Sequence, residues 1–453
     1  MRLLRESFFI YNLIESIAGS SKTIKTPKNI LLLGVMTLKE EYKNPHYGWI
    51  VAFAAMLIAG AGVGIINSTL GVFIIPVTEE LGFYRGSFML YASISMIVSV
   101  LLMPYYGTLF NKYGFKRIAL IGAVVCGLVL IGYSFSSFLW HFYVLAFISG
   151  VFINGIGIMS VGILVNKWFI DKKGLAIGIA YSGTGLAAAL LIPVSNWFIY
   201  LNGWRWAFQF LAAVSLFVLI PLILFVVKDK PEDMGLTAYR IKKNDESNAK
   251  KEEIATVGLT REQAFRTLSF WLLIVAVMGI PLSQAGPHVH IVAFITDIGY
   301  TPHFAAAVSS AYMLLLTVGK VLMGFVLDKL GPLKGSLIIG GCCVIFPILG
   351  LFAANPFIPW IFAAVLGIAS SGSTMLGNIL ASSYFGRKDF SRVFSVISMF
   401  TSMGVTMAIP LFGLVFDITG GYTVAWIGII CMGIVVCACL AGSYKSSRKL
   451  VLT

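Results

Sequence analysis

Charge is what this 453-residue chain has least of: Asp, Glu, Lys and Arg make up 11% of it, against 58% hydrophobic residues. With a mean hydropathy of +0.91, it cannot hide its apolar side chains in one soluble core, so it is an integral membrane protein. The alternating ten-residue segments of a membrane β-barrel are missing, whereas apolar runs of about 20 residues match the hydrocarbon thickness for helices. No G-x-x-x-x-G-K-[ST] run is present, so direct ATP use is not supported. The six cysteines (Cys126, Cys342, Cys343, Cys431, Cys437, Cys439) all lie in apolar runs, which argues against a disulfide framework and against a metal site. No nucleophile constellation stands out either; no enzymatic activity, cofactor or metal is expected.

The few basic residues are unevenly placed. A net charge of +14 would suggest nucleic acid in a soluble protein, but here Lys and Arg sit in short loops between spans, so no nucleic-acid partner is implied. Breaking the apolar runs at charges, Gly and Pro gives twelve spans, at roughly 47–76, 85–109, 118–136, 140–166, 174–200, 205–227, 268–297, 303–327, 334–354, 357–384, 391–417 and 422–443. The one long charged linker, 228–267, contains KKNDESNAKKEE and separates a six-span half, 47–227, from a second, 268–443; segments 1–46 and 444–453 flank them. Of the 33 basic residues, 30 fall on the side that holds the termini and only Arg85 and Arg205 on the other. Both termini are therefore expected in the cytoplasm, in an inner or plasma membrane. The remaining basic residue, Lys320, lies inside a span.

Internal repetition marks the loops after spans 2 and 8. GTLFNKYGFKR begins at Gly107 and GFVLDKLGPLK at Gly324, and Gly114 and Gly331 stand at the same offset of 217. After spans 4 and 10 come WFIDKKG and YFGRKDF. Two halves of one plan are the sequence trace of a carrier with its site between them.

These two G-x-x-x-[DN]-K-x-G-x-x-[KR] loops and the charged linker resemble the major facilitator superfamily, over Pro45 to about Ser443. YGWIV, KWFIDKKGLAIGIAYSGTG, GWRWAF, KDKPEDMGL and LTREQAFRTLSFWLL resemble its oxalate/formate antiporter and monocarboxylate transporter branch. The resemblance implies an all-α fold of twelve transmembrane helices in two pseudo-symmetric halves, working as a monomer by alternating access on a small organic anion. It also implies that the loops holding Gly107, Asn111, Gly114 and Arg117, and Gly324, Asp328, Lys329 and Gly331, latch the cytoplasmic side. Asn111 stands where the family carries Asp, which predicts a weaker latch in that copy.

In the same family a basic residue four positions before the loop's first glycine pairs with the substrate carboxylate, and Lys320 stands four before Gly324. Read from the residues alone, Lys320 either faces a cavity as an anion receptor or serves as scaffolding, snorkelling to headgroups or binding backbone carbonyls. No Asp or Glu lies in a span interior; Glu79, Glu80, Asp297, Asp328 and Asp417 sit at ends, which argues against cationic substrates. One positive charge suits a monocarboxylate, and span 11 lacks the second lysine of the family's oxalate carriers. Asn67, Asn154 and Asn378 are candidate donors to the substrate, or else interhelical glue. Tyr312 and Phe400 are expected to shape the pocket. Asn67 and Leu316 replace the lysine and aspartate of animal monocarboxylate carriers. His290 is the candidate for proton coupling, with His288 ranked below it. The coupling partner is thus a proton or a counter-anion. A carrier of a neutral metabolite or drug and a transporter-like solute sensor are the rival readings.

The opening MRLLRESFFIYNLIESIAGSSKT is interrupted by Glu6, Asn12 and Glu15 and makes a poor signal peptide and a worse span. Met36 opens a compact lead into the first span and is the expected native start. Intact-mass measurement of the native protein should then give a chain beginning at Met36; a mass that includes residues 1–35 would refute this.

Overall fold

The computed structural model describes residues 46–240 and 258–451, without the side chains at 67, 68, 70, 71, 302 and 449–451. The expectations for residues 1–35 and for KKNDESNAKKEE lie outside the described residues. Twelve helices make up the membrane body, and among the described residues the only β-pairings are two isolated bridges.

Helix α1 is built from Tyr47–Ala59, a π-helical turn Gly60–Gly64, Ile65–Ser68 and Leu70–Leu81. Then come α2 (Arg85–Tyr113), α3 (Phe115–Ser134), α4 (Leu139–Phe152 and Ile158–Trp168), α5 (Lys173–Asn202) and α6 (Trp204–Pro221, extended by Leu222–Val226). The second half holds α7 (Leu268–Asp297), α8 (302–330), α9 (332–351), α10 (Ile358–Tyr384), α11 (Phe390–Thr419) and α12 (Thr423–Val451).

Most helices outrun the apolar stretches that announce them. Hydrocarbon thickness sets the apolar length, but a helix continues into the polar headgroup zone until a residue refuses helical dihedrals. The repeated loops show this best. Gly114 ends α2 at φ 79°, ψ 166°, and Gly331 separates α8 from α9 at φ 82°, ψ 167°. Side-chain-bearing residues avoid those dihedrals, so one glycine turns the chain in each copy.

Two helices are broken at mid-membrane, which the apolar pattern did not reveal. The π-helical turn of α1 falls on GAGVG, and a 3₁₀ turn, Ile153–Gly155, splits α4 at GVFINGIG. In hydrocarbon such irregular backbone is tolerated where it is buried or lines a cavity.

The halves meet along α5 with α8 and α2 with α11, pairs that the repeat interchanges. Approach is close because glycines line it. A Cβ on Gly178 would strike the Lys320 carbonyl, one on Gly174 the Gly324 carbonyl, and one on Gly107 would press on Ser391 and Ser395. Inside each half, rings fill the space: Phe88, Tyr91, Tyr133 and Phe142 in the first, Phe294, Phe362, Phe412 and Trp426 in the second. At the face opposite the repeated loops, Arg85 and Arg205 pair with Glu79 and Glu80, and Trp204 Nε1 donates to Glu80 at 2.7 Å.

Helix α5 also packs on α1, where a Cβ at Gly183 would collide with the Met56 carbonyl oxygen, whereas Gly341 on α9 has nothing within 4 Å. Gly183→Ala should therefore destabilise the protein by about 1–3 kcal/mol, and Gly341→Ala by less than about 0.5 kcal/mol. Thermal unfolding of the detergent-purified variants reads the difference; equal melting temperatures would refute the close packing.

Candidate functional site

The four repeated turns, α2–α3, α4–α5, α8–α9 and α10–α11, gather at one face, here called the basic face. It is closed by contacts between the halves. The Asp328 carboxylate at the end of α8 accepts the N–H groups of Gly174 (2.7 Å) and Leu175 (2.8 Å) at the start of α5. Those groups have no partner within their own helix, and the helix dipole favours an anion there. Lys173 Nζ donates to Ser382 Oγ on α10 at 3.1 Å, and Asn166 Nδ2 on α4 donates to Asn378 Oδ1 at 3.0 Å. Arg387, in the α10–α11 turn, reaches across to the carbonyls of Asn166 and Phe169. Its burial lowers its pKa, which Glu232 partly offsets. Among the described residues, no hydrogen bond joins the halves at the opposite face.

The first copy of the loop closes with reversed polarity. Asn111 Nδ2 donates to Asp389 Oδ1 at 3.3 Å, at the start of α11. In this copy the acid stands on the other half, and an amide donor answers it. Gly114 lies against the Asp229 carboxylate, which accepts the Lys116 N–H at 2.7 Å and caps α3. Arg117 is exposed, and Lys329 lies over the Phe325 ring at 5.8 Å.

Beyond this seal a cavity of about 650 Å3 opens between the halves, walled mainly by α1, α2, α4, α7, α10 and α11. The broken stretches of α1 and α4 both reach it, through Val63 and Asn154. Tyr91, Tyr133, Phe208 and Phe394 supply its aromatic surface, and hydroxyls such as Ser93, Thr374 and Thr401 stud it. Among the described residues, no Asp, Glu, Lys or Arg lines it, and its one imidazole is His288.

The expected site residues divide accordingly. Asn154 lines the cavity, with its side chain tied to Ser99, donating to the carbonyl at 2.8 Å and accepting from the hydroxyl at 3.1 Å. Lys320 does not line it. Only 6% exposed, its ammonium is threaded along α5, donating to the Thr184 hydroxyl at 2.9 Å and the Tyr181 carbonyl at 3.2 Å. Asn378 is fully buried in the seal, its Nδ2 without a partner. The Asn67 side chain lies outside the described residues. His290 is not among the lining residues and lies toward Phe412, at 5.5 Å between ring centroids. Tyr312 and Phe400 are also absent from the lining; Tyr312 instead backs His288. Arg387, Asn166 and Lys173 went unassigned, although WFIDKKG and YFGRKDF already stood out as a repeat.

The family model of the Major Facilitator Superfamily matches residues 49–296 and 285–450. The chain belongs to that superfamily. Monocarboxylate transporter 13 of Rattus norvegicus is 23% identical over 401 residues, covering 86% of this chain and 88% of that protein. Monocarboxylate transporter 12 of Xenopus laevis is 23% identical over 358 residues, covering 75% and 76%. A crystal structure of the superfamily transporter FucP in the outward conformation superposes with a TM-score of 0.65 at 13% identity, over 87% of this chain and 98% of FucP. The proton:xylose symporter XylE superposes with a TM-score of 0.63 at 14% identity, over 86% and 94%. The likeness to FucP and XylE is one of fold. The chain is thus a multi-pass membrane transporter of the superfamily rather than an enzyme.

For this superfamily member, Asn111→Asp sets two carboxylates side by side and costs the closed seal about 1–2 kcal/mol. The population open at the basic face should rise roughly 5- to 30-fold, and Asp389→Asn in the same chain should reverse this. Spin-label distances between positions 172 and 388 report it; an unchanged distribution in Asn111→Asp would refute the contact's role.

Proposed function

We propose that this transporter is a secondary carrier of a small organic anion, a monocarboxylate in the simplest case, working by alternating access. The observation that carries this reading is the charge of Lys320. Its ammonium is buried between the halves, its acceptors are a carbonyl and a hydroxyl, and among the described residues its third N–H has no partner. A cation with no acid beside it, in a region of low dielectric, attracts an anion. A single such charge matches a single carboxylate.

On this reading the carboxylate enters the cavity, the halves rock about it, and as the α5–α8 seam parts it takes an N–H of Lys320, which does not line the cavity while the seam is closed. Asn154 is placed to meet a substrate oxygen from the cavity wall, while Asn378 acts through the seal. The names of the relatives, monocarboxylate transporters 12 and 13, agree in substrate class. We place the basic face in the cytoplasm of the cell membrane, on the distribution of Lys and Arg. The driving gradient is that of a counter-anion or of protons.

A second reading has its own observation. The hydrogen bonds from Lys320 to Tyr181 and Thr184 make it a strut between α5 and α8, and the hydroxyl-studded cavity then suits a neutral metabolite or drug.

Uptake of labelled lactate, formate and oxalate into proteoliposomes separates the two. Wild type should show saturable monocarboxylate uptake, reduced at least roughly 100-fold in Lys320→Gln, as expected where a buried charge partner worth about 3 kcal/mol is lost. Preloading with unlabelled anion distinguishes exchange from proton symport. Carboxylate uptake that survives Lys320→Gln unchanged would overturn the site.

A further inference from the structure

The cavity holds an ionisable group that the family pattern does not predict. His288 lines it from α7, half-buried, while His290, two residues on, faces Phe412. Helical geometry forces this choice, because residues two apart point to different sides. One face of the imidazole rests on Tyr312 of α8, with centroids 4.9 Å apart at 40°. Among the described residues, neither ring nitrogen has a protein hydrogen-bond partner. A half-buried imidazole fixed by its ring, with both nitrogens unpaired, is poised to bind something that enters the cavity.

The groups around it narrow what that is. From α8 it meets Tyr312, and α2 and α3 face the same cavity with Tyr91 and Tyr133. From α10 and α11 come hydroxyls such as Thr374 and Thr401. None of these carries charge near neutral pH, and among the described residues the lining holds no carboxylate to neutralise an imidazolium. Tyr312 also precedes Lys320 by eight residues on the same helix, about 12 Å along its axis. A cation at His288 thus lies on the way from the open side toward Lys320.

We propose that His288, not His290, is the titratable anion receptor of the transport cavity: in its protonated form it donates an N–H to the substrate carboxylate and so sets anion affinity by pH. The proposal rests on the anion-carrier reading. Binding requires the imidazolium, so affinity is full at acidic pH and is lost as pH rises through the histidine's range, while a carboxylate substrate stays ionised throughout.

The test uses the full chain in proteoliposomes with labelled lactate. The protonated fraction of the imidazole falls between pH 5.5 and pH 8, and the wild-type KM should rise at least roughly tenfold over that range. His288→Gln should show a high KM that no longer varies with pH, His288→Lys a low KM at both values, and His290→Gln the wild-type profile. A role in packing alone would not be rescued by lysine. Thermal stabilisation of the purified variants by lactate at the two pH values gives a readout independent of turnover. If lactate transport depends on Lys320 but His288→Gln keeps the wild-type pH profile, this proposal falls and the anion reading stands. If wild type neither transports lactate nor is stabilised by it, both fall.

Discussion

Two backbone N–H groups at the start of α5 have no acceptor in their own helix, and a carboxylate from the other half of the molecule, Asp328, takes both. Negative charge and helix dipole reinforce each other there. Because donor and acceptor belong to different halves, the contact can exist only while the basic face is shut. It also fixes the register of α5 on α8, so that Gly174 meets Gly324 and Gly178 meets Lys320, backbone against backbone. With that seam closed, the space left between the halves lies beyond it, where α1 and α4 are broken and the cavity forms.

The two halves repeat each other in geometry more than in charge. At the equivalent seam of α2 with α11, the acid is Asp389 and the loop supplies the amide of Asn111. The other oxygen of Asp389 accepts the Arg261 N–H at 3.0 Å, which draws the approach to α7 into the seal. The other end of the linker is tied as well: Tyr239 pairs its backbone with Trp168, Ile170 and Asp171, and Leu259 pairs with Phe385. The turns that carry WFIDKKG and YFGRKDF therefore hold the linker as well as each other.

How much of this the sequence disclosed follows from which forces are local. Span number and loop position were legible because hydrocarbon thickness and positive charge act on short stretches, and Gly114 and Gly331 punctuate them. The helix breaks at GAGVG and GVFINGIG were not, since in an apolar run glycine serves close packing as readily as a break. Lys320 was found by its charge, but not its course along α5, because its acceptors, Tyr181 and Thr184, stand 139 and 136 positions away in the chain. His288 and His290 differ only in rotation about α7, and the family pattern favoured the one that faces Phe412. The partner of Asn111 was not legible, because it stands 278 residues away.

The seam also bears on why a lysine should be there at all. A strut between α5 and α8 needs a donor for the Tyr181 carbonyl and the Thr184 hydroxyl, and a neutral glutamine or serine would supply one without taking a charge out of water. Burying an ammonium costs several kcal/mol more than burying an amide unless a counter-charge offsets it. Among the described residues no acid pairs with Lys320 in this closed-seam state, so nothing there offsets the cost. In a membrane such an expense is retained where the charge meets a partner in some other state of the cycle. On the anion-carrier reading proposed above, that partner is the substrate carboxylate, which arrives where the seam parts as the halves rock.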